Sequence, residues 1–190
     1  AGNDSQGLYY GTTKTPEKYF LKWKEDDHNY DPNQNILDQH LLQFCEKKRL
    51  LEFVHDFVVF DAGVKKLCRP NQFFGVREAQ KFVKRREGGI IWHTQGSGKT
   101  ALTYYNVKYL THYFRDRNIV PKFYFIVDRI DLLIQAGREF KSRGLVVHNI
   151  NSREEFSRDI KSTSVIHNHS GKAEITVVNI QKFQDDTDVI

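Results

Sequence analysis

The chain has 190 residues, of which 39% are hydrophobic and 28% charged, a balance typical of a globular protein rather than a disordered one. Its 29 basic and 24 acidic residues give a net charge of +5, and a pI near 9.1 permits a polyanionic partner without proving one. No apolar run approaches the roughly 18 residues that span a bilayer, and the N-terminus lacks a signal peptide pattern. We therefore expect a cytoplasmic protein with no membrane partner, which the presence of only two cysteines also suits.

The first residue and the lack of methionine concern the completeness of the chain. Because the chain begins with Ala and contains no Met, we expect that it is not an intact translation product. It is a fragment, a trimmed chain, or a sequence from which modified methionines are missing.

The first third of the chain, residues 1–69, predicts a mainly helical segment after a polar start. Alternation within 19–24 favours a short strand, and 26–34 is typical of a polar loop. Apolar residues at helical spacing predict a helix over 36–44, with Asn33 or Asn35 as its N-cap. A second apolar set predicts another helix over 50–58, closed by Asp61-Ala62-Gly63.

From about residue 70 the pattern changes to strands that alternate with helices. The predicted helices are 72–86, 98–114, 131–141 and 152–160, and the predicted strands are 89–93, 123–127, 145–150 and 174–180. Such alternation predicts an α/β fold with a parallel sheet flanked by helices. In these folds ligands bind at the carboxyl ends of the strands.

The segment Thr94-Gln95-Gly96-Ser97-Gly98-Lys99-Thr100 lies between a predicted strand and a predicted helix. Glycines allow the backbone N–H groups to point inward around a phosphate, and the helix N-terminus adds positive potential. Lys99 can reach the β- and γ-phosphates, and the Thr100 hydroxyl can ligate Mg²⁺. The generic pattern begins with Gly where this chain has His93, so a glycine-rich turn with a chance Lys-Thr is the alternative.

Several segments resemble, in the same order, the restriction (motor) subunit of type I restriction–modification enzymes. The segment 91–100 is similar to its Walker A sequence, and four others are similar to its further motifs: 50–60, 71–76, 127–132 and 178–183. The resemblance extends from about Gly7 to the end. It implies a superfamily-two DNA translocase that uses ATP.

The resemblance implies a RecA-like P-loop NTPase fold, incomplete in this chain. Residues 1–69 would be the linker that follows an absent nuclease domain, and 70–190 the N-terminal portion of the first motor domain. ATP and Mg²⁺ would be the cofactors, with Lys99 and Thr100 as catalytic residues. Duplex DNA and the modification and specificity subunits would be the partners. We assign no nuclease site and expect it upstream of residue 1, and we expect the chain alone to be nearly inactive as an ATPase.

Gln72, in the adenine-reading segment implied by the resemblance, is a candidate base contact. A side-chain amide can accept from N6 and donate to N7 of adenine, and Phe73 or Phe74 could stack beside it. The alternative is a glutamine at the start of a helix in solvent.

The resemblance also implies DNA contacts by Arg129 and Lys182, each after a predicted strand. A capping Asp128 beside a solvated Arg129, or an ordinary surface lysine, would explain them equally well. Asn179 stands where the family pattern suggests Thr, so a DNA contact by that side chain is not expected.

Other functions remain open on the sequence alone. Another superfamily-two helicase, a P-loop kinase or GTPase, and a non-catalytic DNA-binding module could each carry the same loop. The pair His167 and His169 suggests a metal site only weakly, because no third ligand lies at a useful spacing, and a solvated loop explains it better.

Overall fold

A computed structural model describes residues 1–25, 31–162 and 172–183 of the chain. These residues form two compact units, 1–105 and 106–190. Within the described ranges, none of the helices combines the length and apolar character that crossing a membrane requires.

The first unit begins with a small antiparallel sheet in which β2 is central. Its strands are β1 (Gly2–Asn3), β2 (Gly7–Tyr10) and β3 (Leu21–Lys22). The strand predicted within 19–24 is therefore present but short, because a 3-10 turn at Glu17–Tyr19 precedes it.

Two capped helices follow. Helix α1 (Ile36–Phe44) matches its prediction, and Asn35 is its N-cap because the Asn35 side chain accepts from the Leu37 N–H at 2.8 Å. Helix α2 (Lys47–Asp56) is capped by Glu46, whose carboxylate accepts from two backbone N–H groups at 2.8 and 3.1 Å. These hydrogen bonds lower the pKa of Glu46.

The predicted helix over 50–58 extends too far, because α2 ends at Asp56. The next residues form an antiparallel hairpin of β4 (Val58–Asp61) and β5 (Val64–Leu67). Ala62 and Gly63 both have positive φ, 48° and 81°, as a two-residue hairpin turn requires. The Val-Val-Phe run is thus the start of a strand, and Ala62-Gly63 turns the hairpin rather than closing a helix.

The core of the first unit is aromatic. Trp23, Phe57 and Phe73 are fully buried, and the Phe57 and Phe73 rings lie edge to face at 4.8 Å. Phe73 belongs to α3 (Pro70–Arg85), which agrees with the helix predicted over 72–86. Burial of Phe73 and Val76 in this core fixes the position of α3 and therefore of its N-terminus.

The strand predicted over 89–93 is wrong. These residues are irregular, and Ile90 and Trp92 are 89% and 88% exposed. Strands are stabilised by hydrogen bonds to a neighbouring strand, and none of the described residues pairs with this run. Without a partner strand, the apolar sequence alone does not produce a strand here.

The last helix to begin in the first unit is α4 (Lys99–Arg115), close to the prediction of 98–114. Three strands and two helices of the second unit then also agree with their predictions. They are β6 (Tyr124–Val127), α5 (Ile130–Ser142), β7 (Val146–Ile150), α6 (Arg153–Lys161) and β8 (Glu174–Asn179).

The second unit contains a parallel sheet of order β6-β8-β7, with β8 buried at its centre. Phe125 of β6 contacts Phe140 of α5, and the preceding Tyr124 contacts Phe156 of α6, both with ring centroids at 5.4 Å. Because successive residues of a strand point to opposite faces, α5 and α6 cover opposite faces of the sheet. The predicted α/β class, a parallel sheet flanked by helices, is confirmed here.

Candidate functional site

The glycine-rich loop connects the irregular residues 89–93 to α4. Gly96 and Gly98 have φ of 75° and 84°, values that residues with a side chain rarely adopt. A Cβ at Gly98 would also lie 2.5 Å from Gln72 Nε2, so another residue here would displace the Gln72 amide from its hydrogen bond to the Gly98 carbonyl. The loop shape therefore depends on glycine at position 98.

Lys99 is the first residue of α4, and its side chain is exposed. Its ammonium donates to the carbonyl oxygens of His93 and Thr94, each at 3.1 Å. An exposed cation thus lies at a helix N-terminus, where free N–H groups and the helix dipole also attract anions. Thr100 follows on the first turn of α4 and is half-buried. This combination suits a phosphate group.

The N-terminus of α3 holds the loop from the other side. Arg69 Nη1 donates to the Gly96 carbonyl at 3.0 Å, and Gln72 Nε2 donates to the Gly98 carbonyl at 3.1 Å. Longer contacts of 3.5 Å join Asn71 and Gln72 to the Ser97 carbonyl. The structure therefore brings Gln72 together with the predicted loop residues.

Gln72 is 4% exposed, so the interpretation of it as a glutamine in solvent is wrong. Its Oε1 accepts from the backbone N–H of Arg69 at 2.8 Å, which caps α3. Both ends of the amide are thus hydrogen-bonded within the protein, and a contact with adenine stays a prediction. Phe73 is fully buried in the core and cannot stack on a base, whereas Phe74 is half-buried.

Two clefts adjoin the loop. The smaller, of about 440 Å³, is lined by Arg69, Asn71 and residues 92–97. The larger, of about 1080 Å³, lies between the N-terminal segment and α3, and Phe74 is among its lining residues. Arg69, Asn71 and His93 line both clefts.

The larger cleft has more cations than anions. Its charged lining residues are Lys22, Lys24, Arg49, Arg69, Arg77 and Lys81, with Glu25 and Glu78. Arg49 is neutralised by Glu25 through two hydrogen bonds of 2.7 and 3.0 Å. The remaining positive charge favours an anionic ligand.

Sequence reasoning missed Arg69 and Asn71 as loop-holding residues. The sequence feature that could have indicated them is their position within the three residues before Gln72, at the start of a helix whose N-terminus faces the loop. Only the fold shows which side chains at that helix start reach the loop backbone.

Of the two predicted DNA contacts, the structure describes the side chain of Arg129. Arg129, in the second unit, is exposed and occupies the N-cap position of α5, so Asp128 is not the cap. Its guanidinium binds the Asp131 carboxylate at 2.5 and 3.1 Å, and this hydrogen bonding lowers the pKa of Asp131. Asn179 is 2% exposed, and its Oδ1 accepts from the Gln181 N–H at 2.8 Å.

Three predicted positions lie outside the described residues. They are the histidines His167 and His169 and the side chain of Lys182. The interpretation of Lys182 as a DNA contact therefore stays a prediction.

Comparison with known proteins adds a family and several relatives. The family model of the SWI2/SNF2 ATPases matches residues 71–189, more than half of the chain. The putative type I restriction enzyme MjaVIIP endonuclease subunit of Methanocaldococcus jannaschii is 32% identical over 175 residues, which is 80% of this chain and 16% of that protein. The type I restriction enzyme HindI endonuclease subunit of Haemophilus influenzae is 26% identical over 190 residues, 91% of this chain and 17% of that protein.

A shorter relative is covered more fully. The C-terminal part of the putative type I restriction enzyme MpnIIP endonuclease subunit of Mycoplasma pneumoniae is 24% identical over 173 residues, 84% of this chain and 78% of that protein. The chain spans about a sixth of the length of the relatives from Methanocaldococcus and Haemophilus.

Proposed function

Because the chain belongs to the SWI2/SNF2 ATPase family and is related to type I restriction endonuclease subunits, as its motifs predict, we propose that it binds ATP with Mg²⁺ at residues 94–100. The chain would supply part of the motor of a type I restriction enzyme. ATP hydrolysis in the complete subunit would drive translocation along duplex DNA before cleavage.

The geometry of Lys99 is the observation that carries this proposal. An exposed ammonium lies at the N-terminus of α4, beside a loop whose glycines adopt positive φ. In P-loop NTPases such a lysine neutralises the β- and γ-phosphates, while the next hydroxyl ligates Mg²⁺. Lys99 would bind the phosphates here, and Thr100 would hold the metal ion.

The domain assignment follows from the same premise. Residues 70–190 would form the N-terminal portion of the first RecA-like motor domain, and 1–69 the linker that joins it to a nuclease domain. The parallel sheet β6-β8-β7 and the family match over 71–189 support this assignment. Arg129 and Lys182 would contact the DNA backbone.

The partners and location are also proposals. The restriction enzyme relatives support duplex DNA and the modification and specificity subunits as partners of the complete protein in the cytoplasm. The net charge of +5 favours a polyanion such as DNA.

The test is the affinity of this chain for MgATP, measured by calorimetry, in the wild type and in Lys99→Ala. We expect binding that Lys99→Ala abolishes, because Lys99 supplies the cation at the N-terminus of α4. Lys65→Ala, which removes an exposed lysine from β5, is the control for the change in net charge. Equal affinities of Lys99→Ala and Lys65→Ala would refute the phosphate site.

A second measurement separates a DNA motor from a kinase or a switch GTPase. In the full-length protein, duplex DNA should stimulate ATP hydrolysis, and Lys99→Ala should remove the stimulated rate. Hydrolysis that is indifferent to DNA would leave the nucleotide site but exclude the motor.

A further inference from the structure

His93 occupies a junction between the two clefts beside the loop. Among the lining residues that the structure describes, only Arg69, Asn71 and His93 line both clefts. The smaller cleft is lined mostly by the loop, and the larger one, of about 1080 Å³, has the volume for a heterocyclic base and a sugar. A ligand that extends from the loop into the larger cleft must therefore pass these three side chains.

Two of these side chains already have partners. Arg69 donates to the Gly96 carbonyl at 3.0 Å, and Asn71 lies 3.5 Å from the Ser97 carbonyl. The Nδ1 atom of His93, in contrast, is buried and has no hydrogen-bond partner among the described residues. His93 thus lines both clefts and has a ring nitrogen whose hydrogen-bonding capacity is unused in this orientation of the ring.

The imidazole packs against Gly75, where an added Cβ would lie at ordinary contact distance, 3.7 Å, from His93 Cε1. Rotation about the Cβ–Cγ bond is broad and roughly two-fold for histidine. A half-turn exchanges Nδ1 with the apolar Cδ2, which places a carbon at the buried position and a nitrogen on the opposite edge of the ring.

We propose that His93 is a specificity-determining residue that hydrogen-bonds the sugar of a nucleoside triphosphate at this junction. The inference rests on the proposed function, since it requires a triphosphate in the loop. A sugar hydroxyl both donates and accepts, so it satisfies either tautomer of the ring. The contact selects nucleoside triphosphates over inorganic triphosphate, and it is indifferent to the base.

The experiment compares three ligands, ATP, GTP and inorganic tripolyphosphate, each with Mg²⁺, on the 190-residue chain. His93→Ala should weaken ATP and GTP to the same degree, by about 5–10-fold for one lost hydrogen bond, and leave tripolyphosphate unchanged. His93→Gln, which keeps a donor and an acceptor, should recover part of the loss. His55→Ala, at a histidine whose side chain is 66% exposed on α2, is the matched control and should change nothing.

The outcomes separate this inference from the proposed function. If the wild type binds none of the three ligands, or if Lys99→Ala has no effect, the phosphate site itself is wrong. If Lys99→Ala weakens all three ligands and His93→Ala also weakens all three equally, the imidazole only shapes the loop and the inference is overturned. A loss confined to ATP, or no loss at all, overturns it as well.

A spectroscopic readout guards against a variant that distorts the loop. In the wild type, long-range ¹H–¹⁵N spectra report the histidine ring nitrogens, and the His93 signals are those missing from His93→Ala. We expect ATP and GTP to shift these signals strongly and tripolyphosphate to leave them nearly unchanged. Equal shifts with all three ligands would contradict a contact with the sugar.

Discussion

Replacement of Gln72 tests whether the start of α3 holds the glycine-rich loop. Gln72→Ala removes the 2.8 Å hydrogen bond from Arg69 N–H and the 3.1 Å hydrogen bond to the Gly98 carbonyl. Each is worth about 0.5–1.5 kcal/mol net, so the free energy of unfolding should fall by about 1–3 kcal/mol. The side chain is 4% exposed, so water cannot easily replace the lost partners.

A second variant separates the two hydrogen bonds. Gln72→Glu retains an oxygen that accepts from the Arg69 N–H but places another oxygen opposite the Gly98 carbonyl, which cannot donate. We expect Gln72→Glu to be destabilised as well, and to bind MgATP more weakly than the wild type because its loop loses the hydrogen bond at the Gly98 carbonyl. If Gln72 also reads adenine, Gln72→Ala should weaken ATP more than GTP by about 1–2 kcal/mol.

The assay is equilibrium unfolding in urea, followed by tryptophan fluorescence. The chain has two tryptophans, and in a Trp92→Phe background the signal comes from Trp23, which is fully buried in the core of the first unit. Gln6→Ala, an exposed glutamine in the same unit, is the control. If Gln72→Ala and Gln6→Ala unfold at the same urea concentration, the side chain of Gln72 does not hold the loop.

Three further variants test other parts of the structure. Gly98→Ala should abolish MgATP binding and destabilise the chain by about 1–3 kcal/mol, because φ is 84° and the new Cβ would lie 2.5 Å from Gln72 Nε2. Gly88→Ala, whose Cβ would meet nothing within 4 Å, is the control in calorimetry and should bind MgATP normally. Phe73→Ala should lower the free energy of unfolding in urea by about 3–5 kcal/mol, and Phe74→Ala should lower it clearly less, because Phe73 is fully buried and Phe74 is half-buried. Similar losses for the two variants would contradict the arrangement of the core. Glu46→Gln should lower the free energy of unfolding at neutral pH, because the ionised carboxylate is the stronger cap. The difference in this free energy between variant and wild type should disappear as pH falls through the lowered pKa of Glu46. A constant difference between pH 7 and pH 3 would count against this role.

Local sequence determined the elements whose own residues stabilise them. Helix α1 begins directly after Asn35 because the Asn35 side chain accepts from the second N–H of the helix, a contact within three residues. The alternation over β6 to β8 indicated a parallel sheet because parallel strands need a crossover connection, which a helix usually supplies. Gly96 and Gly98 likewise determined the positive-φ turns of the loop, because that freedom belongs to glycine itself.

The tertiary structure decided what depends on distant partners. Residues 89–93 have the apolar composition of a strand, yet none of the described residues pairs with them, so Ile90 and Trp92 stay exposed. Phe73 and Phe74 are identical neighbours in sequence, and only the packing of α3 against the aromatic core buries the first. Gln72 is adjacent to neither Gly96 nor Gly98 in the chain, and it reaches the loop only because that core sets where α3 begins. Pairing and packing join residues far apart in the chain, so their outcome cannot be derived from any short segment alone.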